Sequence, residues 1–173
     1  MCGLSGLVCL DPGRCRQNHM SIVSVISDTL VHRGPDDRGI ETLGRAALAS
    51  NRLSIIDLSA AGHMPMHNPT TGRWIAFNGE VYNFADLRAE LSAAGHEFHS
   101  STDTEVVLHA WEEWGEQALE RFVGMFAFAI YDPSLEKISH NKLSDDSDFS
   151  GSPAISNGQL FLRSDTFLYC IGS

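Results

Sequence analysis

The sequence has 173 residues, a length that suits one domain or one domain with an appendage. Hydrophobic residues make up 43%, enough to bury a core, and the formal net charge is −10. The basic residues are scattered, which argues against the positive patch of a nucleic-acid or anionic-membrane surface. No apolar run approaches the roughly 18 to 20 residues that span a bilayer, and no secretory signal is visible. We therefore expect a cytoplasmic protein with no nucleic-acid or membrane partner.

The first half of the chain predicts strands around one helix. Residues 3–10 alternate loosely between apolar and polar, as in a strand. Apolar residues recur at helical spacing over residues 18–31, which predicts an amphipathic helix that Gly34 and Pro35 cannot continue. Further strands are expected over residues 46–56 and 74–77.

The second half predicts helices and one more strand. Asn78-Gly79 stands between two β-rich segments and is typical of a hairpin turn. Asn83 is expected to cap a helix that ends at Gly95. A second helix begins near Thr102, in a sequence that resembles a capping box, and ends at Gly115. A short helix over residues 116–122 and a buried strand over residues 125–131 follow.

The composition changes after residue 138, which predicts a domain over residues 1–138. Residues 139–152 are acidic and rich in Ser and Asp, as in a linker. Residues 153–173 predict a β-meander with a turn at Asn157-Gly158. Two strands alone are marginally stable, so this tail needs a partner sheet.

Cys2 follows the initiator methionine directly. With Met1 removed, its free α-amine would have a pKa of about 7.7 to 8.0 and could act as a base near neutrality. The thiol, with a pKa of about 8.5, is a weak nucleophile at pH 7 until an adjacent base activates it. The alternative is an incidental cysteine, and the tripeptide Met-Cys-Gly alone does not decide between the two.

Two further pairs of residues could serve an amide-hydrolysing site. The Asn78 amide and the Gly79 N–H could both donate to a developing oxyanion, although a simple turn explains them as well. An amino-acid substrate needs a cation for its carboxylate and an anion for its ammonium group. Arg52 and Asp103 could fill these roles. The alternatives are a surface arginine on a strand and a helix N-cap.

Neither the cysteines nor the histidines show the spacing of a metal site. No Cys-x-x-Cys pair is present among Cys2, Cys9, Cys15 and Cys170, which are expected to be reduced thiols. No His-x-x-x-His pair on a helix and no ligand cluster is apparent either, so the histidines are expected to be structural or surface groups and metal binding is not expected. They include His32, His63 and His67.

Five strings occur in order along the chain and together resemble one known family. They are Cys2-Gly3-Leu4-Ser5-Gly6, Arg33-Gly34-Pro35-Asp36-Asp37, Arg52-Leu53-Ser54-Ile55-Ile56-Asp57, Phe77-Asn78-Gly79-Glu80-Val81-Tyr82-Asn83 and Thr102-Asp103-Thr104-Glu105-Val106. This order resembles the class II glutamine amidotransferase domain. The residues within the five strings are most similar to those of glutamine-hydrolysing asparagine synthetase. The resemblance covers residue 2 to about residue 138.

The resemblance implies an α+β fold, the four-layer αββα sandwich of N-terminal-nucleophile hydrolases, incomplete at its C-terminal side. It implies that Cys2 attacks the side-chain amide of L-glutamine and that the thioester is hydrolysed to glutamate, while ammonia passes to a synthetase domain. By motif position, Asn78 and Gly79 would form the oxyanion hole. The family's substrate-binding and loop-shaping residues correspond to Arg52, Glu80 and Asp103, and to Arg33 and Asp36.

The chain departs from the family after Tyr131-Asp132-Pro133. No Ser-Gly-Gly-x-Asp-Ser pyrophosphate loop is present, so no cofactor is expected in this chain. ATP and Mg²⁺ would belong to a synthetase domain or subunit, the expected partner, and homo-oligomerisation is left open. Residues 152–161 instead resemble a blade fragment of quinoprotein-like β-propellers, but one partial blade argues against a propeller-type binding protein. The alternative to an enzyme is a truncated or fused relic that acts as an interaction module, with an open sheet edge that invites association.

Overall fold

The computed structural model describes residues 2–8 and 19–133, together with the backbone of three short strands in residues 154–171. The chain forms two compact units, residues 1–135 and residues 136–173. The predicted linker and the turn at Asn157-Gly158 lie outside the described residues. No helix in the described part of the chain is long and apolar enough to cross a bilayer.

The first sheet of the larger unit has as an edge strand the one that directly follows the nucleophile candidate Cys2. It consists of β1 (Gly3–Val8), β2 (Asp37–Leu43) and β3 (Ala46–Arg52), in the order β1-β3-β2 with antiparallel pairing. β2 was not predicted, because its sequence begins with Asp-Arg-Gly rather than with an apolar alternation. The helix α1 (His19–Thr29) lies over this sheet, close to the predicted range.

The second sheet is formed by β4 (Met66–His67), β5 (Trp74–Val81) and β6 (Gly124–Tyr131), again antiparallel and in the order β4-β5-β6. The predicted hairpin at Asn78-Gly79 is wrong. β5 runs straight through both residues, and Asn78 pairs with Ala127 of β6. The favourable turn dipeptide is overridden here by pairing along the full length of β6.

Two helices cover the outer face of the second sheet. α2 spans Phe84–Ala93 and α3 spans Asp103–Trp114. Thr102 caps α3, its side-chain oxygen accepting the Glu105 N–H at 3.3 Å. Asn83 occupies the N-cap position of α2 as predicted, but its side chain makes no capping hydrogen bond. It contacts the segment before β6 instead, where its Nδ2 donates to the Arg121 carbonyl and its Oδ1 accepts from the Val123 N–H. A 3₁₀ helix over Gly115–Arg121 replaces the predicted short helix.

Three apolar clusters show that the larger unit has four layers. Val23 of α1 packs with Ala47 and Ala49 of the first sheet. Leu48 and Ala76 belong to a second cluster that joins the two sheets. The third and largest cluster lies between the second sheet and its helices, and includes Ile75, Phe77, Leu87, Leu91, Val106, Val107 and Leu108. The order is therefore helix, sheet, sheet, helices, the αββα arrangement that was expected.

The smaller unit contains a three-stranded antiparallel sheet. Its strands are β7 (Ala154–Ser156), β8 (Gln159–Arg163) and β9 (Leu168–Ile171), paired in chain order. The likeness to a propeller blade stays a prediction.

Candidate active site

Five of the residues expected at a site line one cavity of about 130 Å³. They are Cys2, Arg52, Gly79, Glu80 and Asp103. Most of the other lining side chains are apolar, including Leu53, Ile55, Ile56, Met64, Phe77 and Met125. Asp57 also lines the cavity, so a thiol, one cation and three carboxylate residues stand among apolar walls. Such a cavity suits a small polar ligand with charged ends.

Cys2 lies just before β1, where pairing of Gly3 with Asn51 holds the start of the strand against the end of β3. The Leu53 N–H donates to the Cys2 Sγ at 3.5 Å, and the thiol lies 3.8 Å from the Leu53 carbonyl oxygen. These two contacts with the Leu53 backbone fix the position of the sulfur. The Cys2 carbonyl accepts a 3.2 Å hydrogen bond from the Arg33 Nε. The thiol is partly buried and faces the cavity.

Asp36 stabilises the backbone around Leu53, next to the Cys2 thiol, from outside the cavity. Its Oδ2 accepts the Ser54 N–H at 2.8 Å, and its own N–H donates to the Arg52 carbonyl at 3.0 Å. Both bonds fix the backbone on either side of Leu53, whose N–H contacts the thiol. Arg33 and Asp36 are thus placed where loop support was predicted, outside the cavity wall.

Arg52 is only 5% exposed, so its interpretation as a surface arginine is wrong. Its guanidinium donates to the Asp57 carbonyl and, at 3.2 Å, to the Ser59 carbonyl. The partners of the Arg52 guanidinium are neutral backbone carbonyls, which hold it in place and leave its positive charge unpaired by them. Gly62 leaves the space for it, since a Cβ there would stand 2.1 Å from Arg52 Nη2. The cation is therefore oriented and still able to bind an anion.

Asp103 is also 5% exposed and is the first residue of α3, not its N-cap. Its Oδ2 accepts the Val81 N–H at 3.0 Å. Burial raises the pKa of Asp103 despite the hydrogen bonds from backbone N–H groups, and the neighbouring Glu80 carboxylate raises it further. A buried carboxylate beside a second one would gain most from a cation between them, such as a substrate ammonium group.

The structure separates the two residues predicted for the oxyanion hole. Gly79 lines the cavity with φ at +154°, a conformation that favours glycine. Asn78 is not among the lining residues, and its Oδ1 is buried without a hydrogen-bond partner among the described residues. Alternation along β5 places its side chain on the face of Ala76, opposite Phe77. The oxyanion role of Asn78 stays a prediction.

Asp57 ends one of the five motif strings, although the sequence predicted no role for it. Its two carboxylate oxygens accept the N–H groups of Ser59 at 2.8 Å and Ser101 at 2.9 Å. A hydrogen bond from the Ser59 side chain, these two N–H groups and the positive charge of Arg52 lower the pKa of Asp57 from 3.8 to about 2. Asp57 thereby ties the loop after β3 to the loop before α3. Both loops border the cavity.

The structure brings together two histidines and a glutamate that the sequence did not group, while the expectation that no metal is bound stays a prediction. The ligand atoms of His96, His109 and Glu112 all lie within 4.8 Å of one another. Only the spacing of His109 and Glu112 on α3 hinted at this in the sequence. Of the histidines named earlier, His63 pairs with a carboxylate oxygen of Asp37 at 2.8 Å, and His67 stacks on an aromatic ring.

Comparison with known proteins identifies the family. A family profile described as a glutamine amidotransferase domain matches residues 1–142. The chain belongs to this family. It is 38% identical over 134 residues to asparagine synthetase [glutamine-hydrolyzing] 3 of Bacillus subtilis, covering 76% of this chain and 21% of the relative. It is 43% identical over 107 residues to asparagine synthetase B [glutamine-hydrolyzing] of Escherichia coli, covering 62% of this chain and 19% of the relative. The chain thus spans about a fifth of the length of these curated relatives.

A solved structure supports the fold. Glutamine phosphoribosylpyrophosphate amidotransferase of B. subtilis, complexed with ADP and GMP, superposes with a TM-score of 0.60 at 16% identity. The match covers 89% of this chain and 46% of that one. The amidotransferase domain therefore has the N-terminal-nucleophile hydrolase fold.

Proposed function

We propose that this amidotransferase domain hydrolyses the side-chain amide of L-glutamine to glutamate and ammonia, with Cys2 as nucleophile. The observation that carries the proposal is the cavity shared by the Cys2 thiol, the buried Arg52 and the carboxylate residues Glu80 and Asp103, with Asp57 also on its wall. Arg52 would bind the substrate carboxylate, and Asp103 with Glu80 would bind its ammonium group. Glutamine would then be held at its amino-acid end, with its amide directed at the thiol.

The chemistry requires that Met1 has been removed, so that Cys2 carries a free amine. The amine takes the thiol proton while Sγ attacks the amide carbon, and the C–N bond then breaks. Ammonia leaves with the proton returned by the amine, and a thioester remains. Water attacks the thioester, which releases glutamate and restores the thiol. The Gly79 N–H is the proposed donor to the oxyanion in both steps, and the Asn78 amide, which lies on the other face of β5, would have to turn toward the cavity to donate as well.

The proposed partner is an ATP- and Mg²⁺-dependent synthetase domain or subunit that uses the ammonia. The relatives named asparagine synthetase support this, and so does the share of their length that lies outside the match. A cytoplasmic location and homo-oligomerisation are predictions that rest on the sequence alone.

Glutamate release from L-glutamine by the purified chain tests the proposal. Cys2→Ala is the matched control, because alanine is also small enough to permit removal of Met1. Mass spectrometry of both proteins first establishes that Met1 is absent. Release by the wild type alone is expected. If a folded, correctly processed wild-type chain releases no glutamate, the enzyme hypothesis is refuted. The alternative, a non-catalytic relic, would then stand.

A further inference from the structure

A second cavity, of about 440 Å³, is lined by none of the residues that line the first. His96, in the connection after α2, and His109 and Glu112, both on α3, contribute to its wall. The Nδ1 atoms of the two histidines are 3.1 Å apart, and the His109 Nδ1 is 3.0 Å from the Glu112 Oε2. The candidate ligand atoms of these three residues, which come from two chain segments, all lie within 4.8 Å of one another.

A carboxylate on the far side of the His96 ring orients that ring toward the cluster. The His96 Nε2 is 3.0 Å from the Glu113 Oε2, whereas the His109 Nε2 is 4.0 Å from the Glu105 Oε1, too far for a hydrogen bond. At His96 the carboxylate on the outer nitrogen places the proton there and leaves a lone pair on Nδ1. Metal-binding histidines usually have such a partner, which fixes the tautomer and raises the basicity of the ligating nitrogen.

Glu112 is held in a similar way. The Asn68 Nδ2 donates to both carboxylate oxygens, at 3.0 and 2.9 Å, and the Thr71 hydroxyl donates to Oε1 at 2.5 Å. The orientation of the Asn68 amide is fixed, because its Oδ1 accepts the Thr70 N–H at 2.9 Å. The Glu112 side chain is 5% exposed, so its charge needs a compensating cation nearby.

The His109 Nδ1 is within hydrogen-bond distance of both other candidate ligand atoms. A proton on this nitrogen would serve one or two acceptors, whereas a metal ion would bind all three atoms. Ligand atoms around a tetrahedral Zn²⁺ stand about 3.3 Å apart, given metal–ligand distances of about 2.0 to 2.1 Å. Two of the separations here, 3.1 and 3.0 Å, are close to this value, and all three lie within 4.8 Å.

We propose that His96, His109 and Glu112 bind one divalent transition-metal ion, with the fourth position open to the cavity. Two imidazole nitrogens and one carboxylate oxygen suit Zn²⁺ or Co²⁺ rather than Mg²⁺ or Ca²⁺, which prefer oxygen ligands. The ion would clamp the connection after α2 to the middle of α3. The site is independent of the proposed glutamine hydrolysis, and its occupancy requires neither Cys2 nor the removal of Met1.

Titration of the full chain, in the Cys2→Ala background, with Co²⁺ followed by visible absorption tests the site, and calorimetry with Zn²⁺ gives the stoichiometry. The Cys2→Ala background removes the thiol of the other cavity as a competing ligand. We expect one ion per chain and the absorption of a tetrahedral Co²⁺ centre. His96→Ala should abolish this signal. His67→Ala, which removes another histidine of the same cavity, should leave it unchanged.

Glu113→Gln is the more discriminating variant, because the Glu113 side chain is 40% exposed and its loss should not unfold the chain. Removal of a partner of a ligating histidine typically weakens metal binding about 10- to 100-fold. Far-UV circular dichroism confirms that each variant is folded. If His96→Ala fails to fold, Glu113→Gln decides the question. Absence of Co²⁺ binding by the parent chain, or equal affinity in the parent, His96→Ala and Glu113→Gln chains, would overturn the proposal.

Discussion

Gly62→Ala should damage glutamine binding, although Gly62 itself has no chemical role. A Cβ at this position would stand 2.1 Å from Nη2, 2.6 Å from Cζ and 2.9 Å from Nη1 of Arg52. These separations are far inside van der Waals contact, so the guanidinium must leave its place. It would also lose its hydrogen bonds to the Asp57 and Ser59 carbonyls, which now orient the fork.

The expected magnitude follows from the contacts that the displaced fork can no longer make. A hydrogen bond to a charged group contributes about 1.5 to 3 kcal/mol. Loss of one such bond to the substrate carboxylate would lower kcat/KM for L-glutamine about 10- to 150-fold, since each 1.4 kcal/mol is about tenfold. This expectation rests on the proposed function and on Arg52 as the group that binds the carboxylate.

The assay is steady-state glutamate release, with γ-aminobutyramide as a matched substrate that lacks the α-carboxylate. Its kcat/KM, measured by ammonia release, should be the same for Gly62→Ala and the wild type. In an Arg52→Gln background, Gly62→Ala should have little further effect, because the displaced group is already absent. The reasoning is refuted if Gly62→Ala lowers kcat/KM equally for both substrates, or if its effect is the same with Arg52 and with Gln at position 52.

Three further predictions concern stability and pH. Gly79→Ala should destabilise the fold by about 1 to 3 kcal/mol from its backbone conformation alone, and by more because its Cβ would stand 2.2 Å from the Met125 carbonyl oxygen. Urea unfolding should show a larger loss than for Gly115→Ala, where a Cβ meets nothing within 4 Å, and equal losses would contradict this. Hydrogen bonds from Ser59 and Ser101 lower the pKa of Asp57 from 3.8 to about 2, so the stability it contributes should be present above pH 3.8 and lost as the pH falls toward 2. Asp57→Asn should flatten this part of the pH–stability curve, and an unchanged curve would count against it. Because burial raises the pKa of Asp103, its ionisation in the folded state opposes folding at neutral pH and ceases to do so as the pH falls through that raised pKa. Asp103→Asn should therefore raise the unfolding free energy at pH 7 while kcat/KM for L-glutamine falls, and a variant less stable than wild type would contradict the argument.

The sequence predicted which residues belong to the candidate site better than it predicted the burial and the contacts of those residues. The motif strings identified Cys2, Arg52, Gly79 and Asp103, which the fold brings to one cavity. The ordinary structural alternatives for Arg52 and Asp103 were both wrong, because local pattern does not reveal burial. Arg52 is buried against backbone carbonyls, which carry no sequence signature. Thr102 takes the cap that was assigned to Asp103.

The hairpin expected at Asn78-Gly79 failed for a tertiary reason. A turn dipeptide shows which backbone conformation the chain can adopt locally, whereas pairing with a partner strand determines the conformation that it does adopt. β6 pairs with β5 along its whole length, including Asn78 and Gly79. A side chain at position 79 would collide with the Phe126 backbone. Glycine is needed there for close approach of two strands and not for reversal of the chain. The histidine cluster was missed for a related reason, since His96 and His109 meet only when the connection after α2 folds back on α3.

The position of α3 couples the candidate active site to the proposed metal site through one rigid element. Asp103 begins the helix at the first cavity, and Glu112 lies near its other end at the second. Glu105 lies between them, accepting the N–H groups of His99 and Ser100 at 2.8 and 2.7 Å, so it holds the loop that leads into Asp103. The same Glu105 carboxylate faces the His109 Nε2. A cation at the histidine cluster would strengthen this contact by increasing the positive charge of the ring, and it would thereby steady the loop that positions Asp103.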